Sequence, residues 1–178
     1  MPVFAALLRA VNVGGANKVP MAELREALTK AGYRDVATYI QSGNVVLSHA
    51  KKTDDDVARD VKRVIAKEWG HDVGVVVRSH AELAAIAKKG HGYGEVPPNR
   101  VHVVFLSGAP TKAAIAALDP NRSPPDVYEV RGQELYWHTP DGAGKSKVSM
   151  DWLERKLGVV GTARNWNTVL KLEEMTRA

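Results

Sequence analysis

Two short polar segments of the sequence combine glycines with amide and basic side chains. Glycines allow backbone N–H groups to approach a ligand closely, and a carboxamide can fix a ligand's orientation. A lysine beside them adds a full positive charge. This combination suits a small anionic or polar ligand. The segments contribute Asn12, Gly14, Gly15 and Lys18 on one side, and Gln41, Ser42, Gly43 and Asn44 on the other.

The elements predicted around these segments bring them together. Val3–Val11 is apolar on both alternating faces, which predicts a central strand covered on both sides. A helix is expected over residues 20–31, with a proline in its first turn and a glycine just after its end. Two strands, Val36–Gln41 and Asn44–Ser48, follow and are expected to pair through a tight hairpin.

A second helix and a fourth strand complete a β-α-β-β-α-β order in the first half. Thr53 and Asp56 form a capping-box start for the helix, and Val73–Val77 predicts the strand. This order is the ferredoxin-like arrangement. In it, the loop after the first strand and the hairpin between the second and third strands emerge at the same end of the sheet. We call that end, formed by residues 12–18 and 41–44, the rim.

The second half repeats this pattern. Val101–Leu106 predicts a strand, and Val127–Val130 is expected to pair with Glu134–His138. A last helix, at about residues 166–175, follows or replaces the expected final strand. We therefore predict an α/β (α+β) protein of two ferredoxin-like halves with antiparallel sheets. The expected divisions are a first lobe over 1–90, a linker over 91–99 and a second lobe over 100–178.

Three basic residues outside the rim are further candidates for ligand contacts. Arg9 lies on the predicted first strand, where its guanidinium needs a carboxylate, carbonyl groups or a bound anion. A structural ion pair or a snorkelling side chain is the alternative. Lys145 in a basic loop and Arg164 before the last helix would complete the site if the packing of the lobes brings them to the rim.

The segment Gly142–Ser146 contains Gly-Lys-Ser and invites comparison with a P-loop. A P-loop requires a glycine where this sequence has Thr139, so we expect no nucleotide-hydrolysing loop. A different phosphate or anion loop remains open. Further along, Asn165 is expected to cap the last helix.

The rim residues also have a purely structural interpretation. Glycines are common in turns because they accept positive φ, and Asn and Ser side chains often bond to neighbouring backbone groups. The sequence leaves both interpretations open. It also leaves open whether the protein is an enzyme.

The charge of the chain bears on its partners. Its 25 Lys and Arg against 20 Asp and Glu give a net charge of +5, which favours anionic partners. Binding to the backbone of a nucleic acid is an alternative, although the basic residues form no patch. The predicted third strand, Asn44–Leu47, also lacks the aromatics on which RNA-recognition modules stack bases. A protein-interaction module using an uncovered sheet face is the third alternative.

The composition excludes several kinds of site. The chain has no cysteine, which excludes disulfides, thiolate zinc sites and a cysteine nucleophile and suits a reducing cytosol. Its histidines show no zinc-binding spacing, and we expect neither metal nor cofactor. The apolar N-terminus reaches Arg9 too early for a secretory signal, and no segment approaches the ~20 apolar residues of a membrane span. The sequence predicts an unanchored cytoplasmic protein, with a monomer favoured.

Six segments carry distinctive motifs: residues 8–15, 18–21, 38–46, 102–108, 139–147 and 162–170. These motifs resemble those of the bacterial domain-of-unknown-function family 1697, in the right order and over essentially the whole chain. That resemblance implies two ferredoxin-like halves packed together and implies no activity. The departures are small: Ala10 stands where glycine is frequent, Leu47 where an aromatic is common, and Lys145 where arginine is frequent.

Overall fold

A computed structural model describes residues 1–177 and contains eight strands and six α-helices. The first half consists of β1 (Val3–Leu8), α1 (Met21–Lys30), β2 (Arg34–Tyr39), β3 (Asn44–Ser48), α2 (Asp54–Trp69), β4 (Val75–Ser79) and α3 (His80–Lys89). The second half consists of β5 (Val101–Leu106), α4 (Lys112–Ala116), β6 (Val127–Arg131), β7 (Glu134–His138), α5 (Met150–Leu157), β8 (Gly161–Asn165) and α6 (Trp166–Thr176).

The first compact unit spans Met1–Ala85 together with the end of the chain from Leu172. Its sheet has the strand order β2-β3-β1-β4, and β1 pairs antiparallel with both of its neighbours. Leu24 and Val61, from α1 and α2, pack in one buried cluster with Leu8 of β1. This burial of apolar side chains against one face of the sheet supplies the main stabilisation of the unit.

The second compact unit spans Ile86–Lys171, and its sheet has the equivalent order β6-β7-β5-β8. Its core joins Trp137 of β7 with Trp152 and Leu153 of α5. The two sheets have the same strand order, which confirms the predicted pair of ferredoxin-like halves. Each unit also forms the same two backbone hydrogen bonds at the end of its central strand. In the first unit, Leu8 N donates to Gly43 O at 2.8 Å and Arg9 N donates to Gly74 O at 2.9 Å. In the second unit, Leu106 N donates to Gln133 O at 2.9 Å and Ser107 N donates to Val160 O at 2.8 Å.

The structure corrects one element boundary at the rim. β1 ends at Leu8 rather than at Val11, because the chain bends after Leu8 and Arg9 N–H bonds to the carbonyl of Gly74. Arg9 therefore lies after the strand and is half-buried, not inside an apolar strand. In the second unit the last helix follows the final strand, β8, which is one of the two alternatives that the sequence left open.

Residues 91–99 lie within the second unit, and the start of this segment packs against its sheet. The Tyr93 hydroxyl donates to the carbonyl oxygen of Tyr136 at 2.9 Å, and Arg131 Nη2 donates to the carbonyl oxygen of His91 at 3.1 Å. The Tyr93 ring also stacks on His138 with the ring centroids 5.4 Å apart. Among the described residues, no helix is both long enough and apolar enough to cross a membrane.

Candidate functional site

The side chain of Asn12 joins the two segments of the rim. Its Oδ1 accepts from Val19 N at 2.8 Å, and its Nδ2 donates to Val19 O at 2.9 Å and to Gln41 O at 2.8 Å. A carboxamide has two N–H donors, and both are used here. Asn12 therefore holds the loop after β1 against the β2–β3 hairpin, and its amide hydrogens are directed at protein acceptors.

Gly14 and Gly15 form the tip of a small hairpin within the loop. Val13 and Ala16 form an isolated antiparallel bridge, and Ala16 N donates to Val13 O at 3.1 Å. The two glycines have φ of 58° and 76°, and a type I′ turn requires positive φ at both central positions. Both are exposed. Their conformation explains why glycine occurs here, and their exposure leaves this part of the backbone open to solvent.

Gly43 has a different role, because the hairpin lies close to the end of β1 at this residue. A Cβ on Gly43 would lie 2.5 Å from Val11 Cγ2 and 2.7 Å from Leu8 Cβ. Its φ of +87° also disfavours any residue with a side chain. This glycine allows the hairpin to lie directly against the end of β1.

Asn44 and Ser42 lie inside the hairpin. Asn44 is completely buried, and its Nδ2 donates to Tyr39 O at 3.0 Å and to Ser42 Oγ at 3.2 Å. Because a buried amide that bonds to the hairpin itself is inaccessible to solvent, Asn44 shapes the rim from inside.

A surface depression of about 400 Å³ lies where the two segments meet. Within residues 1–177, the exposed ammonium of Lys18 has no ion pair and the side chain of Gln41 makes no hydrogen bond. Pro20 precedes α1 and provides no side-chain acceptor for the first N–H groups of the helix. The depression is lined by Asn12, Gly15, Lys18, Val19, Pro20 and Gln41.

Strained backbone is concentrated at this end of the first sheet. Four of the five non-glycine residues with positive φ in the described chain lie here. Ile40 is the most unusual, because a β-branched side chain strongly disfavours its φ of 51°. Ile40 is also 53% exposed. Such strain persists only where the surrounding structure enforces it. The four residues are Ala10, Asn12, Asn17 and Ile40.

A third connection, missed in the sequence, also reaches the rim. The chain between α2 and β4 passes beside the first loop, and His71 Nε2 lies 3.1 Å from the carbonyl oxygen of Lys18. The topology predicts this connection at the rim, because α2 runs toward the rim and β4 runs away from it in a ferredoxin-like unit. His71 therefore adds an imidazole to the group of rim residues.

The other predicted site residues, Lys145 and Arg164, belong to the second unit. Lys145 is exposed in a short 3₁₀ turn. Arg164 is buried on β8, where its Nη1 donates to Thr162 Oγ1 at 2.7 Å and to Ala163 O at 2.8 Å. Burial lowers the pKa of the Arg164 guanidinium to about 10. Asn165 caps α6 as predicted, its Oδ1 accepting from Thr168 N at 3.0 Å.

The Gly-Lys-Ser loop of the second unit is folded on itself. Asp126 is buried and accepts hydrogen bonds from the Ser146 hydroxyl and from Trp137 Nε1, the latter at 3.2 Å. A phosphate loop needs several free N–H groups pointing at one ligand. Here five of them donate to protein acceptors instead, which argues against a phosphate cradle. They are the N–H groups of Gly142, Lys145, Ser146, Lys147 and Val148.

Two four-stranded antiparallel sheets with helices on one face define a duplicated ferredoxin-like α/β protein. The chain belongs to the DUF1697 family, described as proteins of unknown function, whose sequence model matches residues 1–136. The chain is similar in structure to the conserved bacterial protein SP0830 from Streptococcus pneumoniae, with a TM-score of 0.74 and 22% identity over 99% of each chain. At that identity the likeness bears on the fold alone. No curated protein matches the chain.

Proposed function

We propose that the rim of the first unit binds a small anionic or polar ligand. The observation that carries this proposal is the depression of about 400 Å³ lined by Lys18 and Gln41. Both side chains are exposed, and neither is engaged elsewhere within residues 1–177. A concave site of this size with a few convergent polar groups is the usual form of a small-molecule site.

The electrostatics of the depression favour a negative charge. The first N–H groups of a helix have no intrahelical partners and carry partial positive charge. At the start of α1 the N-cap residue of the described chain is Pro20, which makes no side-chain capping bond and lines the depression. Glu23 in the first turn of α1 reduces the positive potential, so the ammonium of Lys18 supplies the decisive charge.

The difference between the two halves also supports a role for the rim. In the first unit the connection from β1 to α1 spans residues 9–20 and contains the Val13–Ala16 hairpin. In the second unit the equivalent connection, from β5 to α4, spans only residues 107–111. The short connection is sufficient to join the corresponding strand and helix in the second unit. The additional residues of the first copy are therefore available for binding.

Thermal stabilisation by a panel of metabolites and nucleotides tests the proposal. A ligand that binds only the folded state raises the midpoint of unfolding. We expect anionic members of the panel to stabilise the parent, and Lys18→Gln and Gln41→Ala to reduce that stabilisation. Arg155→Gln, an exposed charge change on α5, serves as the control and should leave it unaltered. Absence of any stabilising ligand, or equal stabilisation of Lys18→Gln and parent, would refute the proposal.

A further inference from the structure

A second pocket lies in the first unit, where β2 begins and β3 ends. Its volume is about 260 Å³. Three of its lining side chains, Arg34, His49 and Lys51, are basic. We propose that this pocket binds the phosphate group of a small phosphate monoester. The full lining is Met1, Gly32, Arg34, Ser48, His49, Ala50 and Lys51.

The sheet register places the basic residues around this pocket. Arg34 pairs with Ser48 across the β2–β3 ladder, and Ser48 Oγ lies 3.1 Å from the carbonyl oxygen of Arg34. The register then shifts between Arg34 and Ala37, which marks a β-bulge. Bulges change the direction of side chains and occur frequently beside functional sites. Here the bulge immediately follows Arg34, at the edge of the sheet.

The imidazole of His49 is held in a defined orientation. Its Nδ1 accepts from the backbone N–H of Lys51 at 3.1 Å, so the neutral ring carries its proton on Nε2. The His49 ring and the Tyr33 ring form a T-shaped pair with the centroids 5.5 Å apart. Tyr33 is buried and donates to Asp60 Oδ2 at 2.9 Å. His49 therefore presents an N–H donor even when it is uncharged.

The charges of the pocket are unbalanced. Arg34 and Lys51 are exposed and have no ion pair within residues 1–177. The carboxylate of Asp35 accepts from Ser48 Oγ at 3.0 Å. Because Ser48 lines the pocket, this negative charge lies beside it and reduces its positive potential. Asp60, beneath Tyr33, is already engaged by Lys52 at 2.9 Å and by Arg63 at 2.6 Å. The remaining balance is positive and favours an anion.

The donor geometry indicates which anion fits. The planar guanidinium of Arg34 can donate two parallel N–H bonds to a phosphate, and the Lys51 ammonium adds a point charge. The His49 N–H supplies a third donor. A volume of about 260 Å³ admits a phosphate group with a small ester substituent and not a large cofactor.

A titration followed by backbone amide shifts of ¹⁵N-labelled protein locates the binding. Inorganic phosphate and glycerol phosphate are added at constant ionic strength, with sodium chloride making up the balance. We expect saturable shifts at the amides of His49, Ala50 and Lys51, with glycerol phosphate binding at least as tightly as phosphate. Arg34→Gln and Lys51→Gln should each weaken binding about tenfold or more, which corresponds to loss of one charged hydrogen bond.

Controls separate this pocket from the rim. Arg155→Gln lowers the net charge by the same amount as Arg34→Gln or Lys51→Gln. Lys18→Gln removes the cation of the rim. Neither Arg155→Gln nor Lys18→Gln should alter the shifts at His49–Lys51. Shifts that rise linearly without saturation, or equal affinity in Arg34→Gln and parent, would overturn the proposal. Tighter binding of a short single-stranded oligonucleotide than of glycerol phosphate would overturn it too, by assigning the pocket to a polymer.

Discussion

The side-chain amide of Asn12 donates to the carbonyl oxygen of Gln41 across 2.8 Å, between residues 29 positions apart in the sequence. The same side chain bonds twice to the backbone of Val19. One residue thus connects the loop after β1, the start of α1 and the β2–β3 hairpin. The shape of the depression depends on this connection.

Asn12→Asp should destabilise the first unit and abolish ligand binding at the rim. Aspartate keeps the acceptor for Val19 N and tolerates the positive φ of this position. It loses both N–H donors and places a carboxylate oxygen against two carbonyl oxygens. We expect a loss of about 1–3 kcal/mol in the free energy of unfolding, measured by urea denaturation.

The matched control for Asn12 is Gln41→Ala, which keeps the backbone carbonyl that Asn12 uses. It should leave stability within about 0.5 kcal/mol of the parent, because it alters only an exposed side chain. It should still weaken ligand binding. If Gln41→Ala destabilised the protein as much as Asn12→Asp, the side chain of Asn12 would not be the connecting group.

Gly43→Ala should be among the most damaging single-methyl substitutions in the first unit. The new Cβ would contact Leu8 and Val11 well inside van der Waals distance, at a φ of +87°. We expect a loss of about 3 kcal/mol or more. Gly14 also has a positive φ, but a Cβ added there would meet no atom within 4 Å. Gly14→Ala should therefore lower the free energy of unfolding by only about 1–2 kcal/mol. Similar losses for the two variants in chemical denaturation would contradict this account.

His102 should make the protein less stable as the pH falls below neutrality. Burial lowers the pKa of its imidazole below the ordinary value of 6.5. The unfolded chain then binds a proton near pH 6.5 that the folded chain does not bind, so stability present above pH 6.5 is lost on acidification. His91 acts in the same direction, mainly through burial, with added repulsion from His138 and Arg131.

His102→Phe tests this assignment. Among the described residues, the buried Nδ1 of His102 has no hydrogen-bond partner, and its ring lies 5.4 Å from that of Trp137. Phenylalanine keeps an aromatic ring there and removes the unsatisfied nitrogen. Unfolding free energies measured between pH 7 and pH 5 should depend less steeply on pH in the variant. If the unfolding free energy of the variant depended on pH as steeply as that of the parent, His102 would not account for the pH dependence.

Asp126→Ala should destabilise the second unit through its Gly-Lys-Ser loop. It leaves the indole N–H of Trp137 and the hydroxyl of Ser146 without their buried acceptor. We expect a loss of about 2–4 kcal/mol together with a change in tryptophan fluorescence. Asp141→Ala, at an exposed aspartate of the same loop, is the control and should change neither quantity appreciably. Equal stability of the two variants would contradict the structural role of Asp126.

The fold was largely predictable because its signals are local. Hydrophobic alternation predicted most of the strands, and Thr53 with Asp56 forms the predicted capping box of α2. β8 was harder to predict, because Gly161–Asn165 is short and contains an arginine. The end of β1 at Leu8 depends on a hydrogen bond to Gly74, a residue distant in sequence.

The candidate site was predictable in position and less so in the role of each residue. Topology places the loop after β1 beside the hairpin, and the depression lies there. The sequence cannot distinguish an amide that contacts a ligand from one that bonds to the backbone. Asn12 and Asn44 are of the second kind, whereas Lys18 and Gln41 remain exposed. That difference depends on side-chain direction, which tertiary contacts determine.

The most direct test of the rim as a ligand site is a site-resolved titration. The anion that best stabilises the parent is added to ¹⁵N-labelled protein, and amide shifts are followed in the parent and in Lys18→Gln. We expect saturable shifts at Gly15, Lys18 and Met21, with affinity reduced about fivefold or more in the variant. Shifts confined to other parts of the chain, or equal affinity in the two proteins, would contradict the assignment.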